Sequence, residues 1–222
     1  MKHIKIYQIL GNDDTSRDAK FSHYDGSVNS SLYEKVFDCE IEEEDLEDIF
    51  CRFNTSRHPL FFGHSLSVSD IVIKDGTAHY CDSYGWKHGI PFDETATKES
   101  KLDMRVIFVA PTMKPTVAYM PNSLKAEQQA VGGYIECVYC HDDDTCIIGD
   151  EEAKLKHKKG NRYIHNGRDI LAGDFIIVGL SEEDFRGLTD EEVEKYLKKY
   201  EDAPVIRKEQ VEKSISMGFY GF

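Results

Sequence analysis

Short apolar runs that stop at a turn dominate this chain and limit what it can become. Ile4–Leu10, Leu66–Ile73, Met104–Ala110, Tyr134–Tyr139 and Phe175–Val178 are each cut off by Gly, Pro, Asp or a polar stretch. Runs of this kind suit strands, and strands need a sheet and something to cover it. None approaches the ~18 consecutive apolar residues that cross a bilayer, so no membrane role is expected. With 40% apolar and 11% aromatic residues the chain can bury real cores, which argues against wholesale disorder. Its 222 residues suit two domains of about 100 residues each.

The division between them reads from composition. Asp93–Asp103 (DETATKESKLD) has almost no apolar side chains and is expected to be a linker. Domains are therefore expected at 1–92 and 104–180, with C-terminal helices and an aromatic tail over 181–222. The fold class is α+β: two small domains, each a short mixed or antiparallel sheet with one or two helices. In the first, Leu46, Ile49, Phe50 and Phe53 recur at helical spacing, which predicts a helix over Glu42–Phe53 with Glu42, Glu43, Glu44 and Asp45 at the positive end of its dipole. Leu66–Ile73 alternates as a half-buried strand, and Asp75-Gly76 is a two-residue hairpin signal. In the second, a helix is expected over Ser123–Val131, ended by Gly132-Gly133. Helix starts are expected at Ser181–Asp184 and at Thr189, the latter a capping box with Glu192. The tail Met217–Phe222 is aromatic and uncharged, suited to packing on the fold or to a partner.

Charge narrows the function classes. The net charge is −14. Residues 1–103 hold 11 Lys/Arg against 20 Asp/Glu, and residues 104–222 hold 16 against 21. Such a surface repels a phosphate backbone and suits solubility or steering toward a basic protein surface. The opening Met1–Tyr7 reads as a strand, not as a charged leader before an apolar segment. A cytoplasmic protein is expected, with Cys39, Cys51, Cys81, Cys137, Cys140 and Cys146 as reduced thiols.

Four constellations are candidates for chemistry or binding. Cys137, Cys140, His141 and Cys146 have zinc-ligand chemistry, but only one Cys-x-x-Cys pair exists, and buried or incidental thiols are the favoured reading. Ser65, Ser67, Ser69 and Asp70 invite a nucleophile, yet His64 is not oriented toward them on a strand; a structural Asp70 with its own hydrogen-bond partners is favoured. Glu136, Asp150, Glu152 and Asp174 are hard oxygen ligands that would suit a Mg²⁺ nuclease site, or else solvated turns. Lys154, Lys156, His157, Lys158, Lys159, Asn161 and Arg162 form the basic stretch of an acidic chain. It would hold an RNA backbone, or pair with neighbouring carboxylates. No motif calls for a cofactor, and Gly132-Gly133 lacks a nucleotide fingerprint around it.

Two resemblances add to this. Phe50–Asn54, Gly63–Val72 (GHSLSVSDIV) and Tyr80–Ser83 closely resemble the YodL-like domain, across roughly residues 4–92. Residues 104–180 resemble a second, uncharacterised family often found beside it, through Leu124, Val131–Glu136, Asp150–Leu155, Asn161-Arg162 and Gly173–Gly179. The Lys156–Lys159 run and the three cysteines depart from that pattern. Both resemblances imply a genetic setting: polyvalent proteins of phages and conjugative elements, thought to help incoming DNA survive host defences. One YodL-like protein is associated with the bacterial actin-like cytoskeleton, which implies protein binding for this domain type.

The expected function is thus that of a mobile-element accessory protein, more a binder than an enzyme. Its expected partner is a host protein such as a nucleic-acid-binding defence effector, inhibited in anti-restriction or anti-CRISPR fashion. The alternatives are a metal-dependent nuclease acting on RNA or DNA, and a binder of the actin-like cytoskeleton.

Overall fold

In the computed structural model, which describes residues 1–42 and 45–218, the chain divides into two compact units, Met1–Asp103 and Met104–Phe222. Both are α+β, with antiparallel pairing throughout each unit's own sheet.

The first unit carries β1 (Lys2–Gln8), α1 (Asp14–Ala19), β2 (Glu34–Ile41), α2 (Leu46–Thr55), β3 (Ile71–Lys74), β4 (Thr77–Cys81) and β5 (Trp86–His88). Its strands lie in the order β5-β4-β3-β1-β2. Asp75 and Gly76 make the hairpin turn between β3 and β4, both at positive φ (49° and 82°), as a two-residue turn matching strand twist requires. One face of the sheet buries Tyr7, Ile9, Tyr33, Ile71, Ile73 and Tyr80. A second buried set, Phe37, Phe53 and Phe61, meets edge to face.

Three expectations need correcting here. The helix begins at Leu46, because Asp45 caps it: its carboxylate accepts the Asp48 N–H at 2.8 Å, the role Asp fills best just outside a helix. Glu43 and Glu44 lie outside the described residues. Leu66–Asp70 is a turn rather than strand, since Ser69 sits at φ 79° and no extended residue can. Asp93–Asp103, expected as a linker, is instead fastened to the first unit. Glu94 accepts bonds from Lys5 (2.7 Å) and the Tyr7 hydroxyl (2.6 Å), the Lys98 N–H reaches the Tyr33 carbonyl, and Leu102 is buried. A polar composition hid these anchors because all but the burial of Leu102 are hydrogen bonds or ion pairs.

The second unit carries β6 (Met104–Val109), β7 (Thr116–Met120), α3 (Leu124–Val131), β8 (Ile135–Val138), β9 (Thr145–Asp150), β10 (Gly160–Ile164), β11 (Asp169–Ala172), β12 (Phe175–Leu180), β13 (Phe185–Arg186), α4 (Asp190–Lys199) and α5 (Lys208–Gly218). The strand order is β7-β6-β12-β9-β8, with β13 beside β12 and β10–β11 as a separate hairpin. Helix α4 belongs to this core: Leu188, Tyr196 and Tyr200 pack with Ile107, Ile147, Phe175 and Ile177, so the unit does not end at residue 180. The capping box at Thr189 and Glu192 forms as expected. Ser181–Asp184 does not start a helix. The Ser181 hydroxyl and N–H both bond the Asp184 carbonyl, closing the hairpin that returns β12 into β13. Phe219–Phe222, the greater part of the aromatic tail, lies outside the described residues.

Candidate functional site

In the first unit, the string Ser65–Asp70 wraps a buried amide. Gln8 ends β1 inside an apolar run and is fully buried. Its Nε2 donates to the His64 carbonyl (2.9 Å) and to Asp70 Oδ2 (2.8 Å), and its Oε1 accepts the His64 N–H (2.9 Å). Gly63 is required beside it, since a Cβ there would stand 2.1 Å from Gln8 Oε1. Asp70 Oδ2 also accepts the Ser67 N–H at 2.8 Å. Burial pushes the Asp70 carboxyl up to about 7, outweighing those two donors. Ser69 accepts the Phe21 N–H on its hydroxyl and the Tyr33 hydroxyl on its carbonyl, and the Ser65 hydroxyl accepts from Arg57. His64 Nδ1 stands 2.8 Å from the Ser65 carbonyl, so no serine hydroxyl meets it as a base. These residues build a turn. Next to it opens a cleft of about 440 Å³ lined by Asp18, Ser22, His23, Asp25, Tyr33 and Tyr80, of which Tyr80 alone falls in the strings that carry the resemblance.

In the second unit, the basic stretch is tied inward. The Asp150 side chain is 0% exposed and takes Lys158 at 2.7 Å and Lys156 at 3.2 Å. Burial would raise its carboxyl, but the bonds from Lys158, the Glu152 N–H and Lys156 hold it below the usual range. Lys158 also donates to the Val131 and Gly132 carbonyls, satisfying the C-terminal end of α3 where Gly132 adopts the left-handed cap. Lys156 pairs with Glu152, Lys154 with Asp169, and Lys159 reaches the Thr112 hydroxyl. Asn161 and Arg162 lie buried in β10. Asn161 bonds the Val109 and Gly173 carbonyls, and Arg162 bonds those of Met113, Tyr200 and Asn161. Of the two readings of this stretch, the structure displays the internal pairing with carboxylates, and Arg162 serves as a core bracket.

The carboxylates do not gather. Glu136 and Asp150 share a cleft of about 320 Å³ with Glu151, Lys154, His165 and Asp169, but Asp150 is committed to its lysines. Glu152 points to Lys156, and Asp174 lies outside that lining, its carboxyl pushed up to about 6 by burial. Among the described residues, no group of three or more His, Cys, Asp or Glu side chains is placed to hold a metal ion. The zinc candidates likewise form no such group among the described residues. Cys146 is buried, whereas Cys137 and Cys140 are half-buried.

His141 instead joins a polar chain that the sequence reading missed. Its ring stacks on Tyr196 (centroids 4.3 Å apart), with Nδ1 2.8 Å from the Thr145 hydroxyl and Nε2 2.9 Å from that of Tyr200. Asp143 anchors the far end, accepting from Thr145, Tyr196 and Lys195. Burial, then the charge of Lys199, hold the imidazole down to about 4, so it is neutral at pH 7 with both nitrogens occupied. Such a chain fixes orientation and offers no free base. It backs a cleft of about 560 Å³ lined by Cys140, Arg162, His165, Lys199 and Tyr200. Asp143 sits in the acidic triplet Asp142–Asp144, and of its three partners Lys195 and Tyr196 lie on α4, distant in sequence.

Each unit is thus an antiparallel α+β domain whose polar clusters described above are internally hydrogen-bonded. The model of the YodL-like domain matches residues 3–92, and that of a domain of unknown function, DUF3846, matches residues 104–201. The chain therefore carries a YodL-like domain followed by a DUF3846 domain that takes in α4. No curated protein and no solved structure matches it.

Proposed function

We propose that the protein is an accessory protein of a mobile genetic element that binds a basic surface of a host protein, such as a nucleic-acid-binding defence effector, and hinders its access to nucleic acid. The observation that carries this reading is where the cations go. Lys154, Lys156, Lys158 and Arg162 are held by Asp150, Asp169 and backbone carbonyls, so they do not offset the net charge of −14 in the direction of a polyanion. An acidic exterior steers association with a basic partner and disfavours a phosphate backbone. The two-domain resemblance supports the genetic setting. The nuclease alternative draws no support from a carboxylate set whose central member is paired with two lysines.

The test is protection of incoming DNA. Cells with a restriction or CRISPR system should take up targeted plasmid more efficiently when they express the protein, and it should associate with the purified effector in a salt-sensitive manner. Unchanged transformation across several defence systems, with no association at low salt, would sink the proposal. Altered cell shape on expression would favour the cytoskeletal alternative.

A further inference from the structure

We propose that His79 and His88 form a two-imidazole site for a divalent transition-metal ion of the zinc type, bridging strands β4 and β5 of the first unit. The two residues stand directly opposite each other in the register of these strands. Their Nδ1 atoms are 3.1 Å apart, with ring centroids at 5.1 Å and planes inclined by 77°. Metal–imidazole bonds of about 2.0–2.1 Å spanning that separation subtend an angle near 100° at the ion, between the square-planar and tetrahedral values. Cross-strand pairing supplies the bite because opposed side chains leave the sheet on one face, held there by the backbone ladder.

The protonation states suit ligation. A nitrogen–nitrogen contact this short is a hydrogen bond only if one ring donates and the other accepts, so at least one imidazole is neutral. On binding, the donor ring shifts its proton from Nδ1 to Nε2 through solvent. Both rings are accessible, and the remaining coordination positions would be filled by water or by a donor from a partner. The site lies apart from the polar clusters described above and does not depend on the proposed function. Strand β5 forms one edge of its unit's sheet and is three residues long. An ion on His79 and His88 would fasten that edge to β4.

The measurement is titration of the intact chain with Zn²⁺ in a non-coordinating buffer, followed by calorimetry and by long-range ¹H–¹⁵N spectra of the histidine rings. One saturable site per chain is expected, with both rings converted to the Nε2–H tautomer. His79→Ala and His88→Ala should each abolish it, whereas His3→Ala and His23→Ala should retain it. Zn²⁺ should also raise the thermal midpoint of the parent chain and leave that of His88→Ala unmoved. Absence of saturable binding, or binding that survives both substitutions, overturns the proposal. Should either variant fail to fold, the ring spectra of the parent chain decide: unshifted His79 and His88 resonances at saturating Zn²⁺ would refute it.

Discussion

At the scale of single residues, the polar side chains that looked chemical are the ones that hold loops in place. Gly63→Ala should destabilise the protein by roughly 2–4 kcal/mol in urea denaturation, because the new methyl displaces Gln8 and strands its buried partners. Asp70 predicts a pH dependence whose sign is opposite to the usual carboxylate. Its folded-state value near 7 lies above the ordinary 3.8, so between about pH 4 and 7 the folded chain keeps a proton the unfolded chain has lost. That contribution to stability is complete at low pH and declines as pH rises through this window. Asp70→Asn, which keeps an acceptor for the Ser67 N–H, should remove that decline. Identical slopes in variant and parent would refute the assignment. Arg162→Met should cost on the order of 3–5 kcal/mol by stranding buried carbonyls, and Lys159→Ala less than about 0.5 kcal/mol. Equal effects of the two would return Arg162 to the surface.

At the scale of elements, legibility followed the range of the interaction. The Asp75-Gly76 hairpin and the Thr189–Glu192 capping box were readable because their hydrogen bonds close within four residues. Thr189→Ala should therefore lower stability by about 1 kcal/mol, read as a shift of the denaturation midpoint with unchanged slope. Ser181–Asp184 carries the same kind of local pattern yet makes a turn, since the pairing of Leu180 with Phe185 across the hairpin overrides it. Leu66–Asp70 alternates like a strand but folds around Gln8, 58 residues and more away in sequence. The odd polar residue in Ile6-Tyr7-Gln8-Ile9 was the available sign that something had to reach back and satisfy it. Asp93–Asp103 misled for the same reason: its anchors, Lys5, Tyr7 and Tyr33, are distant in sequence and close in the sheet.

At the scale of the whole molecule, the two-part α+β organisation was legible and the candidate sites largely were not, because composition reports charge but not which charges are already matched. In gel-shift assays near physiological salt, the protein should leave short RNA and duplex DNA unshifted, and lowering the ionic strength should not rescue binding as it does for basic proteins. A shift abolished by Lys156→Ala would contradict the internal pairing described above.

That pairing has a mechanical consequence. For an incoming polyanion to recruit Lys156 and Lys158, both ammonium groups would have to leave a carboxylate that water cannot reach, and Lys158 would uncover the end of α3 as it went. Docking through Lys158 would compete directly with the pairing that holds this segment against α3. To that extent a phosphate chain gripping Lys158 would act on this corner as a local denaturant.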